Sequence, residues 1–120
     1  MFAHFDPASP QDLSKVHVIP VQTVMDWVAA GQALLIDVRE TDEYAEAHIP
    51  GAHLMPLSTF QPSKLPDPGD KKLVIHCRSG NRCGLASMKL LAAGYRGEIN
   101  RMQGGIIAWA QAGGATKHGA

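Results

Sequence analysis

Apolar residues in this chain form short continuous runs that are separated by stretches of helical periodicity. The continuous run at 33–36 predicts a strand that is covered on both faces, the run that begins the segment 73–76 predicts a buried strand, and 16–19 is a short strand candidate. Two further short strands are predicted at 53–55 and 98–102. Short strands that alternate with helices indicate an α/β fold with a central, mainly parallel sheet. Reactive groups in such sheets collect outside the carboxyl ends of the strands, so the residues that follow each run are the first candidates for function.

Four stretches have the pattern of helices. The first extends from Pro20 to Gly31 and carries apolar side chains at positions i, i+3, i+4 and i+7. The second is predicted to be capped by Thr41 and to continue through Ala47. The remaining two helices are predicted at 82–93 and after the glycine pair at 104–105.

The middle of the chain has the pattern of a folded domain, whereas both ends do not. Residues 1–14 contain two prolines and little periodicity, which predicts a poorly ordered lead-in. Residues 114–120 are rich in glycine and polar side chains, which predicts a flexible tail. We therefore predict one folded domain at 15–113, a size that is sufficient for a hydrophobic core without disulfides.

Composition narrows the range of functions. Eleven basic and eleven acidic residues cancel, so the net charge gives no reason to expect nucleic acid or an anionic membrane as a partner. The two cysteines do not form a CxxC pair and the six histidines are scattered, so no metal site and no cofactor are predicted. Neither a secretory signal nor an apolar run of about 18 residues is present, which predicts a reducing, cytoplasmic setting.

Cys77 directly follows the apolar run at 73–76 and precedes a predicted helix. The intervening loop contains Gly80, which tolerates a left-handed backbone, and it is flanked by Arg78 and Arg82. Backbone N–H groups of such a loop, the helix N-terminus and the two guanidinium groups all favour a thiolate over a thiol. A cysteine at a strand end can also simply pack in the core. The glycine, the arginines and the strand–loop–helix context favour a reactive nucleophile.

Four segments of the chain resemble the rhodanese sulfurtransferases. They occur in the order expected for that family and cover about residues 16–113, so together they are far more specific than any one of them. The segments are LIDVRE at 35–40 followed by Glu43-Tyr44, HIPGAH at 48–53, CRSGNR at 77–82, and GGI with AW at 104–109.

This resemblance implies a doubly wound α/β domain with a five-stranded parallel sheet and helices on both faces. It also implies that Cys77 attacks the outer sulfur of an anionic donor such as thiosulfate, becomes a persulfide, and passes the sulfur to cyanide or a thiol. Asp37 is implied as a supporting residue that orients the loop, although it is equally suited to cap its own turn. The implied cradle for the persulfide and the anionic donor consists of Arg78, Ser79, Gly80, Asn81 and Arg82.

Two residues depart from the family pattern. Ala47 occupies a position usually held by glycine, at little cost if its φ is negative, and Cys83 occupies a position where serine or alanine is commoner. Cys83 is expected to point into the core, with a resolving thiol as the less favoured role. Strand alternation points His76 away from Cys77. We expect the remaining polar residues near the second helix, Arg39, Glu43 and His48, to form a structural cluster.

The length of the loop distinguishes sulfur transfer from cysteine phosphatase chemistry. Cysteine phosphatases place five residues between cysteine and arginine, whereas four separate Cys77 from Arg82. A shorter loop fits a single sulfur atom better than a tetrahedral phosphate. Sulfur transfer is therefore the favoured function, ahead of a persulfide carrier or sulfur-relay module for a protein acceptor. Cysteine phosphatase and arsenate reductase activities are the least favoured.

Overall fold

The computed structural model describes residues 13–119, and within them five strands form one parallel sheet. The order across the sheet is β1-β5-β4-β2-β3, which confirms the predicted five-stranded parallel architecture. Most of the predicted lead-in, residues 1–12, lies outside the described residues. The strands are β1 (Val16–Ile19), β2 (Ala33–Asp37), β3 (His53–Leu54), β4 (Lys72–His76) and β5 (Ile99–Met102).

The helices lie where the periodicity predicts them. They are α1 (Val21–Ala29), α2 (Thr41–Glu46), α3 (Arg82–Ala92) and α4 (Gly105–Gln111), with two 3-10 turns at Leu57–Thr59 and Pro62–Lys64. Within the described part of the chain, no helix has the length and apolar character that crossing a membrane requires.

The cap of helix α2 differs from the prediction. Glu40, and not Thr41, is the N-cap residue, and it forms a reciprocal capping box with Glu43. The Glu40 backbone N–H donates to Glu43 Oε1 at 2.9 Å, and the Glu40 side chain accepts from the Glu43 backbone. Glutamate at this position forms both bonds of the box, which leaves Thr41 in the first helical turn.

Strand alternation divides the core into two halves, one on each face of the sheet. Leu34, Ile36, Leu73 and Ile75 pack on the face that is covered by α3. The intervening residues of β2 and β4 pack on the opposite face against α1 and α4. Both faces of the sheet are therefore covered by helices, as predicted, and a residue's place in the alternation decides which helix it meets.

The C-terminal segment, predicted to be a flexible tail, makes hydrogen bonds to the folded domain. His48 and Lys117 exchange backbone hydrogen bonds of 2.8 and 2.9 Å, and the Gly119 N–H donates to the Ala45 carbonyl at 2.7 Å. The indole N–H of Trp109 donates to the Ala115 carbonyl at 2.9 Å. Hydrogen-bonding groups at the end of α2 and on α4 therefore have partners in this segment. Composition alone does not reveal these contacts.

Candidate active site

Cys77 lies immediately beyond the carboxyl end of β4, at the start of the loop that leads into α3. It continues the alternation of Leu73 and Ile75, so its side chain packs with the core on the α3 side of the sheet. The residue is only 1% exposed. The loop residues Arg78 and Ser79, by contrast, are exposed and form the rim above the thiol.

Backbone N–H groups of the loop converge on the Cys77 sulfur. The Gly80 N–H donates to Cys77 Sγ at 3.1 Å, and the N–H groups of Cys83 and Arg82 are near enough to lower the pKa of this thiol. Gly80 has a φ of +120°, as its predicted role in a tight loop requires. The loop therefore surrounds the sulfur with fixed donors of the kind that bind anions.

The first turn of α4 holds the opposite side of the loop. The Ile106 and Ile107 N–H groups donate to the carbonyls of Cys77 and Arg78 at 2.9 and 3.2 Å. This approach requires Gly105, which has a φ of +61° and where a Cβ would lie 2.4 Å from the Arg78 oxygen. These two bonds fix the orientation of the first two peptide groups of the loop.

These contacts lower the pKa of the Cys77 thiol well below its ordinary value. The Cys83 side chain lowers the pKa of Cys77 most, and the N–H groups of Cys83, Gly80 and Arg82 lower it further. Together they outweigh burial, which raises the pKa, and the resulting pKa is about 5. At neutral pH Cys77 is therefore a thiolate, the form of cysteine that acts as a nucleophile.

The two loop arginines have different surroundings. Arg78 is exposed at the rim of the loop. The Arg82 guanidinium instead donates to both carboxylate oxygens of Glu43, at 2.6 and 2.8 Å. This pairing lowers the pKa of Glu43 to about 2. Although both arginines flank the thiol, the Arg82 side chain is already engaged by a carboxylate.

Asp37 is fully buried and pairs with Arg39 rather than with the loop. Its carboxylate accepts from the Arg39 backbone N–H at 2.9 Å and from the Arg39 guanidinium at 2.7–3.2 Å. Arg39 in turn donates to the carbonyls of Glu43 and Ala47 at 3.3 and 2.7 Å. Of the two roles considered for Asp37, these contacts fit the cap of its own turn. Through Arg39, the carboxylate also supports the end of α2.

The predicted polar cluster around Arg39 is present, but its contact with Glu43 uses the backbone carbonyl rather than the carboxylate. His48 is joined to the same helix, since its Nδ1 lies 2.8 Å from the Tyr44 carbonyl oxygen and its ring stacks on the Tyr44 ring. Ala47, which replaces the usual glycine, has an extended backbone with a φ of −163°. Alanine adopts this conformation without strain, so the replacement of glycine has little cost here.

His76 lies on the face of the sheet opposite to Cys77, as alternation predicts. It is fully buried, and its Nδ1 lies 3.4 Å from the Cys77 carbonyl oxygen. Its Nε2 has no hydrogen-bond partner among the described residues and lies 3.8 Å from an Asp37 carboxylate oxygen. Burial lowers the pKa of His76 below 6.5 despite the opposing effect of Asp37. We conclude that this imidazole is neutral and does not reach the thiol.

Sequence reasoning missed Arg101. This residue lies on β5, the strand beside β4, and its guanidinium donates to the Gly80 carbonyl at 2.9 Å and to Cys83 Sγ at 3.4 Å. Gly84 accommodates it, because a Cβ there would lie 3.1 Å from the Arg101 guanidinium. A charged residue near the carboxyl end of a buried strand was the available signal. Cys83 points into the core as predicted, and it also contacts the loop through the Gly80 carbonyl at 2.9 Å.

The parallel α/β sheet presents a thiol of low pKa in a loop at a strand end, a setting in which a cysteine can act as a nucleophile. Residues 21–112 match the rhodanese-like domain. The chain belongs to the rhodanese family, which supports sulfur transfer as its general class of chemistry.

Known proteins of similar sequence and structure agree with this assignment. The chain is 40% identical to a sulfurtransferase of Allochromatium vinosum over 80 residues, which cover 67% of this chain and 74% of that protein. It is 45% identical over 80 residues, 67% of this chain, to an uncharacterized Synechocystis protein, of which it spans 44%. The crystal structure of thiosulfate sulfurtransferase from Pseudomonas aeruginosa superposes with a TM-score of 0.73 at 26% identity, over 89% of this chain and 21% of that one.

Proposed function

We propose that this chain is a sulfurtransferase that carries a sulfane sulfur as a persulfide on Cys77. The observation that carries the proposal is the buried Cys77 thiol at the end of β4, whose sulfur accepts from the Gly80 N–H at 3.1 Å and whose pKa is lowered by its loop neighbours. Such an environment stabilises a negative charge on sulfur both before and after a second sulfur atom is added. The similarity to a Pseudomonas protein named thiosulfate sulfurtransferase supports thiosulfate as the test donor.

In the first half-reaction the Cys77 thiolate attacks the outer sulfur of thiosulfate. The new S–S bond forms as the bond between the outer sulfur and the sulfite sulfur breaks, and sulfite leaves with the electron pair of that bond. The charge of the thiolate passes to the outer sulfur of the persulfide, so no proton transfer is needed. A pKa of about 5 keeps the nucleophile ionised at neutral pH without a separate general base.

In the second half-reaction an acceptor attacks the outer sulfur of the persulfide. Cyanide forms thiocyanate and returns Cys77 as a thiolate, while a thiol acceptor becomes a persulfide itself and releases its proton. Both cysteines are free thiols, which fits the reducing, cytoplasmic setting that we propose. In that setting a thiol of a small molecule or of a partner protein is the acceptor that we propose.

The exposed rim of the loop is proposed to receive the charged end of the donor. Arg78, Ser79 and Asn81 are exposed above a thiol that is only 1% exposed. In the proposed complex the sulfite group stays at this rim while the outer sulfur meets the buried thiol. Arg78 is the side chain best placed to attract the anion, because the guanidinium of Arg82 is paired with Glu43.

Thiosulfate:cyanide sulfurtransferase activity, measured as thiocyanate, tests this proposal directly. Wild-type protein is expected to turn over, and Cys77→Ser is expected to lose activity by about 1,000-fold or more, since it removes the nucleophile. Mass spectrometry after thiosulfate alone should detect one added sulfur, about 32 Da, that dithiothreitol removes. A stable adduct with negligible turnover would favour a persulfide carrier. Hydrolysis of a phosphate ester without any adduct would contradict sulfur transfer.

A further inference from the structure

Gly80 is bound through both of its backbone polar groups. Its N–H donates to Cys77 Sγ at 3.1 Å. Its carbonyl accepts from the Cys83 S–H and from the Arg101 guanidinium, each at 2.9 Å. A carbonyl oxygen has two lone pairs, so it accepts both bonds together. Gly80 therefore connects the Cys77 sulfur to two donors that belong to α3 and β5 rather than to the loop tip.

The local sequence alone does little to fix the direction of the Gly80 N–H. Glycine adopts a wide range of backbone conformations, and Gly80 has a φ of +120°, which few other residues share. Its neighbours Ser79 and Asn81 are both exposed. The hydrogen bonds to the Gly80 carbonyl therefore supply a restraint that the loop residues do not supply themselves.

Arg101 is well placed to supply this restraint. It lies on β5 in register with Ile75 of β4, so its side chain is on the same face of the sheet as the thiol two residues later. Its Nε–H donates to Cys83 Sγ at 3.4 Å while a terminal N–H donates to the Gly80 carbonyl. Because the guanidinium is planar and rigid, the two bonds fix its orientation. Gly84 leaves room for it, since a Cβ there would lie 3.1 Å from the guanidinium.

We propose that Arg101 is a positioning residue for sulfur transfer, which holds the Gly80 carbonyl so that the Gly80 N–H stays directed at the Cys77 sulfur. The inference deepens the proposed function, since it rests on Cys77 as the nucleophile. Among the described residues, the hydrogen bonds of the Arg101 side chain go to Gly80 and Cys83, so its effect on Cys77 passes through the loop. Cys83 adds a second, uncharged donor to the same carbonyl.

The other charged groups near Cys77 do not hold this carbonyl. Arg78 is exposed at the rim, and Arg82 at the start of α3 is paired with Glu43 of α2. His76 of β4 lies on the opposite face of the sheet and is neutral. Within the described part of the chain Arg101 forms no ion pair with a carboxylate, so no carboxylate competes with the loop for its charge. A charged donor forms a stronger hydrogen bond than a thiol, which makes Arg101 the main restraint.

The pH dependence of alkylation by iodoacetamide tests this role without requiring sulfur transfer. Trypsin separates the two thiols, because Cys77 falls in the peptide 73–78 and Cys83 in the peptide 83–89, so mass spectrometry reports each rate. A full hydrogen bond to a charged group is worth about one to two pH units. Arg101→Met should raise the midpoint pH of Cys77 alkylation by part of this amount, about half to one unit, because the Gly80 N–H is no longer held on the sulfur.

Two further variants separate position from charge. Arg101→Lys keeps the positive charge but lacks the rigid fork that binds Gly80 and Cys83 together, so its midpoint should rise nearly as much as that of Arg101→Met. A wild-type midpoint in Arg101→Lys would mean that charge alone acts, and it would overturn the positioning role. Arg96→Met is the matched control, since Arg96 is an exposed arginine just before β5, and it should leave the midpoint unchanged.

Nitrogen-15 relaxation at Gly80 measures the restraint itself. The order parameter of its N–H should be about 0.85 in the wild type and fall below about 0.6 in Arg101→Met, while Gly94 at the end of α3 should not respond. A Gly80 that stays rigid in Arg101→Met would overturn the proposal even if the midpoint rises. If Arg101→Met does not fold, the same measurement on Arg101→Lys decides.

These outcomes are distinct from failure of the proposed function. If wild-type Cys77 gains no sulfur from any donor, sulfur transfer fails even where Arg101→Met raises the midpoint and loosens Gly80. If wild-type Cys77 forms a persulfide but Arg101→Met has the wild-type midpoint and a rigid Gly80, the role of Arg101 fails and the proposed function stands. A persulfide in the wild type together with both changes in Arg101→Met supports both.

Discussion

The Arg82 guanidinium and the Glu43 carboxylate face each other through two parallel hydrogen bonds of 2.6 and 2.8 Å. Arg82 opens α3 beside the thiol, whereas Glu43 lies in the first turn of α2 and closes its capping box. The pair therefore joins the start of the helix that follows the active-site loop to the start of α2. Both side chains are partly exposed, at 29% and 26%.

We expect Glu43→Gln to destabilise the protein modestly at neutral pH. Glutamine keeps an acceptor for the Glu40 N–H but loses the charge that pairs with Arg82 and the helix dipole, a loss of about 1 kcal/mol. The folded pKa of Glu43 is about 2, below its ordinary 4.5, so the native state favours the ionised carboxylate. The advantage of the wild type is thus complete above pH 4.5 and disappears as the pH falls from 4.5 through about 2.

Urea unfolding at several pH values between 7 and 2.5 measures this difference. Glu46→Gln is a suitable control, because Glu46 lies exposed on the same helix and no hydrogen bond or ion pair is recorded for it among the described residues. The control should be close to wild type at every pH. A difference between Glu43→Gln and wild type that stays constant down to pH 2.5 would mean that the ion pair does not stabilise the fold.

The Arg82–Glu43 pair also marks the limit of what sequence patterns reveal about this site. The position of Cys77 at a strand end, the positive φ of Gly80 and the alternation of His76 all follow from local periodicity and backbone sterics. The partner of Arg82 is 39 residues away, so it depends on how α2 packs rather than on any local pattern. The spacing of the arginines predicts their presence beside the thiol but not the direction of each side chain.

Arg101 was missed for a related reason. Its contact with the loop exists because β5 is the neighbour of β4 in the sheet order β1-β5-β4-β2-β3. Strand order arises from long-range packing, whereas the alternation of strands and helices predicts only that the sheet is mainly parallel. The fold class could therefore be predicted from the sequence, but the set of side chains around Cys83 required the topology.

Gly105→Ala is expected to damage both stability and the site. The new Cβ would lie 2.4 Å from the Arg78 oxygen and 2.5 Å from the Cys77 oxygen, in a backbone with a φ of +61°. We expect a loss of about 3 kcal/mol or more in the free energy of unfolding, from backbone strain and forced displacement of the loop. Displacement of the loop carbonyls should also raise the pH midpoint of Cys77 alkylation, since the N–H groups would no longer converge.

Gly94→Ala separates the effect of backbone strain from the effect of loop displacement. Gly94 also has a positive φ, +91°, but apart from its neighbours in the chain no atom of the described residues would lie within 4 Å of a Cβ at this position. This variant should lose only about 1 kcal/mol and leave the alkylation midpoint unchanged. Equal losses of stability in the two variants, measured by urea unfolding, would contradict the tight packing of α4 against the loop.

His76→Gln should make the protein less sensitive to mild acid. The pKa of His76 is lowered in the folded protein, mainly by burial, so the unfolded chain binds a proton that the native state resists. Stability of the wild type should therefore fall as the pH drops below 6.5, by about 1.4 kcal/mol per unit from this group until the lowered pKa is reached. Glutamine does not titrate, so the variant should lose this part of the pH dependence.

The comparison is the change in melting temperature between pH 7.5 and 5.5, which should be smaller in His76→Gln than in the wild type. His53→Gln serves as the control, because His53 is an exposed imidazole and its replacement should leave the wild-type pH dependence intact. If the His76 and His53 variants respond alike to pH, the buried imidazole is not the source of acid sensitivity.

Removal of residues 115–120 tests whether the C-terminal segment is part of the folded domain. The truncation deletes the Ala115 carbonyl that accepts from the Trp109 indole and the Lys117 backbone that pairs with His48. We expect the free energy of unfolding to fall by about 1–3 kcal/mol, because these bonds are few and partly exposed. In a Trp27→Phe background, the emission of Trp109 should shift to longer wavelength as its N–H becomes hydrated.

Lys117→Ala is the matched control for the truncation. It removes the exposed lysine side chain but keeps both backbone hydrogen bonds to His48, so its stability should stay within about 0.5 kcal/mol of wild type. A truncated protein that is as stable as the wild type, with unchanged Trp109 emission, would support the predicted flexible tail. A loss confined to the truncation would assign the stability to the backbone pairing, since the lysine side chain is absent in both variants.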